Sequence, residues 1–235
     1  MKKILYLVAL VAISLCFVQC EQPEEIKTTV TGEHEGHEYV DLGLPSGLKW
    51  ATCNIGATQP EYFGDYFAWG EVETKEYYDW NTYKYCNDVD TTFTKYCYDA
   101  TYGVDGFVDN KLQLDPEDDA ARVHWGGNWR MPTAKETKEL YDCCKWTWTT
   151  ENGVPGHKVT GINGNSIFLP AAGAMGGDLL QGSGSTGDYW ASELANNPNY
   201  NDPTQAHNIR FTKYNVDPDT YLTRRFGFPI RAVCP

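Results

Sequence analysis

The thirteen residues HWGGNWRMPTAKE, His124 to Glu136, constrain the fold of this 235-residue chain more than any other stretch. Thr133 and Glu136 stand at capping-box spacing, in which the threonine hydroxyl reaches forward and the glutamate reaches back. Pro132 stands just before them, so a helix starts at Thr133. Leu140, Tyr141 and Cys144 then fall on one helical face. Upstream, the Gly-Gly pair between Trp125 and Trp129 gives an extended, kinked approach. The expectation is a scaffold corner, with both tryptophans turned inward beneath the helix, and not an active site.

On either side the chain reads as short strands. Tyr39, Val40, Leu42 and Leu44 lead into a Pro-Ser-Gly turn, and Leu48, Trp50 and Thr52 alternate after it. Trp146 and Trp148 alternate up to Asn152-Gly153, a hairpin signal. SIFLPAAG (166–173), DYWAS (188–192) and AHNIRF (206–211) read as further strands. So does RFGFPIRAVC (225–234), with Phe226, Phe228, Ile230 and Ala232 on one face and Arg225 and Arg231 on the other. A few helices followed by many short strands with long loops give an α+β class, not a regular βα alternation.

The N-terminus carries an address. Lys2 and Lys3 precede an apolar run, Ile4 to Val18, too short for a membrane span and laid out as a secretory signal. Cys20 follows, and acidic sequence begins directly after it, a pattern that resembles a bacterial lipoprotein signal with Cys20 lipidated. Cys16 is the alternative site. Acids behind the lipid cysteine resemble the surface-export signal of Bacteroidetes lipoproteins. The expected organisation is a signal peptide over 1–19, a lipidated flexible tether over 20–36 and a single domain over 37–235. The formal charge of −13 becomes −15 once two lysines leave with the signal. Such a chain is a poor partner for nucleic acid, and its contact with membrane is expected through the lipid alone.

Outside the cytoplasm disulfides are permitted. KYCND (84–88) and KYCYD (95–99) repeat one pattern, which pairs Cys86 with Cys97. Cys53 and Cys234 flank most of the domain and could staple its ends. HEGHE (34–38) has the wrong spacing for a helical zinc motif and reads as tether. DPEDDAARVHW (115–125) offers four acids in five positions. A calcium cluster and a helix start capped by Asp115 both fit it, and the cap fits better. Neither a phosphate loop nor a nucleophile elbow is present in the glycine-rich stretch 176–192. No metal and no cofactor is expected.

EYVDLGLPSGLKWATCNIGA, GDYFAWGE, PEDDAARVHWGGNWRMPTAKE, WTWTTENG, NSIFLPAAG, DYWAS and FGFPIRAVC, in that order over residues 38–235, resemble the Fibrobacter succinogenes major paralogous domain family. More remotely, NWRMPTAKE and GFPIRAV resemble formylglycine-generating-enzyme-like domains. The resemblance implies a C-type-lectin-like fold, whose first and last strands meet near the termini. That is compatible with a Cys53–Cys234 bond.

The expected role is a non-catalytic binding module for glycan or protein on the outer-membrane surface. The expected ligand surface is 193–208 with 213–225, and the residues singled out are Tyr189, Trp190, Asn197, Asn199, Tyr200, Asn208, Tyr214 and Tyr221. The alternative is a structural or adhesin component of a surface assembly. A formylglycine-generating-type oxidase is the remote alternative, because Cys234 lacks a late partner cysteine. An E-P-N or Q-P-D calcium-lectin motif is absent from the sequence.

Overall fold

The computed structural model describes residues 29–196 and 202–235. The expected leader, Cys20, and the expected ligand residues Asn197, Asn199 and Tyr200 lie outside them. The architecture is sheet-rich α+β, built almost entirely from antiparallel pairs. Strands β1 (Gly32–His34), β2 (His37–Asp41) and β3 (Lys49–Ala51) form one sheet with the C-terminal β12 (Val233–Cys234), in the order β1-β2-β3-β12. Val233 faces Trp50 and Cys234 faces Lys49, so the last strand closes onto the beginning of the domain. A second sheet is the meander β4 (Lys145–Glu151), β5 (Val154–Thr160) and β6 (Ser166–Pro170). A third has the order β11-β10-β9, from β9 (Thr186–Leu194), β10 (Gln205–Thr212) and β11 (Val216–Thr223). The hairpin β7 (Ala174–Gly176) and β8 (Leu179–Gln181) stands apart from it.

Among the described residues two α-helices complete the fold, α1 (Ala120–Trp125) and α2 (Ala134–Cys143). The capping box of α2 forms as expected. Glu136 N–H donates to Thr133 Oγ1 at 3.2 Å, and Thr133 N–H donates to Glu136 Oε2 at 2.8 Å. Arg130 of the corner clasps the same carboxylate with two N–H groups, at 2.6 and 2.7 Å. Asn152-Gly153 forms the tight turn between β4 and β5, both residues at positive φ as a type I′ turn requires. Among the described residues no helix is long and apolar enough to cross a membrane.

Several expectations need correction. The segment expected as tether up to residue 36 is folded at its end, because HEGHE is the turn of the β1–β2 hairpin, with His34 opposite His37. Trp125 and Trp129 pack against that hairpin and not beneath α2. The His37 ring stacks on Trp125 at 4.1 Å, and the Trp129 indole N–H donates to the His34 carbonyl at 2.8 Å. Asp115 stands at the N-cap of a short 3-10 helix over Pro116–Asp118, with Pro116 at its start, but its side chain makes no cap bond; α1 follows and is capped by Asp119, through a bond from Arg122 N–H. Residues 225–232 run as irregular chain, touching Phe67 and Met175 through single bridges at Phe228 and Gly227, and only Val233–Cys234 join a ladder. Pro229 lacks the N–H that a continuous ladder would need.

The expected disulfides are not formed. All six cysteines of the described residues are free thiols. Cys86 Sγ donates to the Trp80 carbonyl and Cys97 Sγ to the Asp99 carbonyl, each at 3.1 Å, so each thiol is turned toward a backbone acceptor. The β3–β12 register sets Cys234 against Lys49, four residues from Cys53, so those two sulfurs do not oppose each other.

Two apolar clusters fill the interior. One gathers Trp69, Trp129, Trp190, Phe67 and Phe228 around the tyrosine-rich segment, and the other gathers Val40, Trp50, Leu140, Ile167, Tyr189 and Phe211. The sheet β9–β11 separates them, and this explains why neighbouring residues on β9 are buried on opposite sides.

Candidate functional site

Strand alternation sorts the β9 side chains. Tyr189 points into the second cluster, where its ring stacks on Phe211 and its hydroxyl donates to the Pro170 carbonyl at 2.8 Å. Gly187 makes that possible, because a Cβ there would sit 2.1 Å from the Phe211 ring. Trp190 points to the other side, stacks on Phe228 at 4.1 Å and donates its indole N–H to the Phe67 carbonyl. Both residues are essentially solvent-free, at 2% and 0% exposure, so neither can meet a surface ligand as expected.

Two residues before Trp190, on the same face, stands Asp188. It lines a cavity of about 330 Å³ together with residues of the β7–β8 hairpin, Leu222 of β11 and the rings of Phe226 and Phe228. Gln181 and Thr186 add polar atoms to the wall, and Arg210 closes one side. The volume lies near the lower end of the range for small-ligand sites, roughly 300–1,000 Å³. Gly176 lets the hairpin lean on the aromatic wall, since a Cβ there would meet the Phe226 ring at 3.0 Å.

The electrostatics of this cavity centre on one carboxylate. Asp188 is 1% exposed. Burial pushes its pKa from 3.8 up to about 6, against the pull of Arg210 and Asn208. Arg210 faces Asp188 across the β9–β10 ladder, but its Nε stands 3.8 Å from Oδ1, too far for a hydrogen bond. Asn208 Nδ2 donates to Asp188 Oδ1 at 3.1 Å, while Asn208 Oδ1 accepts from Thr220 Oγ1 at 2.9 Å. This fixes the amide and holds the carboxylate in place. Asn208, expected at the ligand surface, is 1% exposed and acts as a support behind Asp188.

The remaining expected residues do not converge. Tyr214 sits at the β10–β11 turn, 90% exposed, with Lys213 over its ring. Tyr221 is half-buried against His207, which pairs with Asp219 at 2.7 Å. Of the expected ligand surface, 193–208 with 213–225, much of the described part lies in strands of one sheet, and AHNIRF lies in β10 as expected.

Sequence reasoning missed Asp188, Arg210, Gln181 and Phe226. A signal for Asp188 was present, since alternation in DYWAS puts an acid on the same face as a buried tryptophan. The partner strand and its register were not readable from the sequence.

The acid-rich segment is committed elsewhere. Asp118 accepts from Lys84, Lys95 and the Tyr96 hydroxyl at 2.6–3.2 Å. Asp119 accepts twice from Met131 N–H as well as capping α1. Asp115 pairs with Lys95 and Lys111, each at 2.6 Å. Among the described residues no group of three or more His, Cys, Asp or Glu is placed to hold a metal ion. No family model matches this chain, and no curated protein or solved structure matches it significantly.

Proposed function

We propose that this chain is an outer-membrane, surface-exposed lipoprotein lipidated at Cys20, and that its domain is a non-catalytic binding module of C-type-lectin-like fold. The cavity at Asp188 and Arg210 is its ligand seat, and a glycan is its ligand. The observation that carries this reading is the pair in that cavity, a buried carboxylate and a half-exposed guanidinium whose closest N···O approach of 3.8 Å is too long for a hydrogen bond, beside an aromatic wall. Aromatic surface flanked by a few convergent polar groups is the general form of a small-ligand site. Binding is favoured over glycoside hydrolysis because Asp188 is the one carboxylate among the described lining residues. Hydrolysis ordinarily uses two, about 5–9.5 Å apart. Closure of the last strand onto β3 is compatible with the lectin-like fold.

The test is retention of the full chain on arrays of immobilised glycans and host-matrix proteins, in calcium and in chelator. The expected result is glycan retention that survives chelation and is lost in Arg210→Ala. Retention that the substitution leaves unchanged would place the binding surface elsewhere. Failure of Cys20→Ser to abolish membrane association would overturn the anchor.

One observation favours a structural role in a surface assembly. Leu179 and Leu180, at the end of the β7–β8 hairpin, are 62% and 42% exposed, and Tyr77 lies beside Gly177 of the same hairpin. Concentration-dependent sedimentation that disappears in Leu179→Ser would support that role.

A further inference from the structure

We infer that the cavity takes a neutral sugar residue, one of whose hydroxyl groups bridges Asp188 and Arg210, and that it does so without a metal ion. This rests on the reading of the cavity as the ligand seat and names the class of ligand it selects.

The argument is one of complementarity. A carboxylate offers lone pairs only, and a guanidinium offers N–H donors only. Here the two face each other at 3.8 Å, and Asp188 takes one hydrogen bond from Asn208. A group that satisfies both must donate to one and accept from the other at the same point. A hydroxyl does so with a single oxygen. A ligand carboxylate would meet Arg210 favourably but would be pressed against Asp188. A ligand ammonium would meet the reverse problem. A zwitterion must seat two charged groups, and the short gap between Oδ1 and Nε admits one bridging atom.

The surroundings fit the same class. Phe226 and Leu222 present apolar surface of the kind that covers the C–H face of a pyranose, while Gln181 adds an amide, both donor and acceptor, to the same lining. The Arg225 guanidinium lies over the Phe226 ring at 4.6 Å, and its Nη1 reaches Asp79 at 3.0 Å, which braces that wall. The cavity volume suits one sugar unit and not an extended chain, so the ligand enters as a terminal residue.

The experiment is calorimetric titration of the full chain, in chelator, with a panel of methyl glycosides of neutral hexoses and N-acetylhexosamines, a methyl glucuronide, and free glycine. The proposal expects at least one neutral glycoside to bind. It expects about tenfold or greater weakening in Asp188→Asn and in Arg210→Gln, the scale of a hydrogen bond to a charged group. Arg210 is exposed enough for its variant to keep the fold, and circular dichroism of both variants checks this. Preference for the glucuronide, or for glycine, would overturn the neutral-sugar assignment while leaving the cavity as the seat. Neutral binding that both folded variants leave unchanged would overturn the cavity as well. Absence of heat with every probe would overturn the sugar assignment. Array retention still sensitive to Arg210→Ala would then show the seat to be real and its ligand to be of another class.

Discussion

Asp118 and Asp188 are both almost solvent-free, at 3% and 1% exposure, yet the protein treats their charges in opposite ways. Burial pushes both pKa values upward. At Asp118 the bonds from Lys95, Tyr96 and Lys84 more than reverse this and hold the group at about 2. At Asp188 one amide and a non-bonded arginine do not, and the group stands at about 6. The first charge is fully used by the fold. The second is left with unspent capacity beside a cavity, and strongly shifted groups of that kind concentrate at functional sites.

The stability consequences have opposite signs. The folded pKa of Asp118 lies below its ordinary 3.8, so its stabilisation is present above about 4 and is lost as pH falls through about 2. The folded pKa of Asp188 lies above 3.8, so its favourable contribution is present below about 4 and is lost as pH rises through about 6.

The largest expected effect is at Asp118. Asp118→Asn removes the charge paired with Lys84 and Lys95 and one of its two acceptor oxygens, and should cost about 3 kcal/mol in urea denaturation at pH 7. A neutral result would mean that the two carboxylates do not differ as described. Next, Asp188→Asn should stabilise the protein by about 2 kcal/mol at pH 7.5, with the gain shrinking toward pH 4, because holding this buried carboxylate ionised above its raised pKa of about 6 costs on the order of 3 kcal/mol. Destabilisation at pH 7.5 would show that Asp188 is structural.

Glu151 sharpens the comparison, as it resembles Asp188 without a cavity. It is 8% exposed, its Oε2 has no partner, and burial with the nearby Glu61 raises its pKa from 4.5 to about 7. It stands at the end of β4 beside the exposed Asn152-Gly153 turn, where nearby solvent screens its charge. Glu151→Gln should therefore stabilise by only about 1 kcal/mol at pH 8, the gain fading as pH falls from about 7 to about 4.5. The smallest effect belongs to Asp115, whose pairs with Lys95 and Lys111 are partly solvated. Asp115→Asn should cost about 0.5 kcal/mol and less in high salt. A cost near that of Asp118 would show the whole acidic segment to act as one unit.

The same contrast separates what could be read in the sequence from what could not. The Thr133–Glu136 capping box and the Asn152-Gly153 turn are contacts between residues a few positions apart, and local chemistry suffices for them. The strands at 166–170, in DYWAS and in AHNIRF follow from apolar patterning. The cavity joins Gln181, Asp188, Arg210 and Phe226, which meet only when two strands, a hairpin and an irregular segment come together. The Asn- and Tyr-rich composition of 213–225 gives no strand signal, yet β11 puts Val216–Thr223 into the same sheet as β9 and β10. Tyr189 and Trp190 drew notice as aromatics, while the informative residue was the acid just before them.

Carbon-13 NMR titration of the aspartate side-chain carboxyls in the full chain tests the central claim most directly. The account predicts that Asp188 titrates near pH 6 and Asp118 near pH 2. Titration of Asp188 at or below the ordinary 3.8 would contradict it, because the carboxylate would then be a satisfied part of the scaffold.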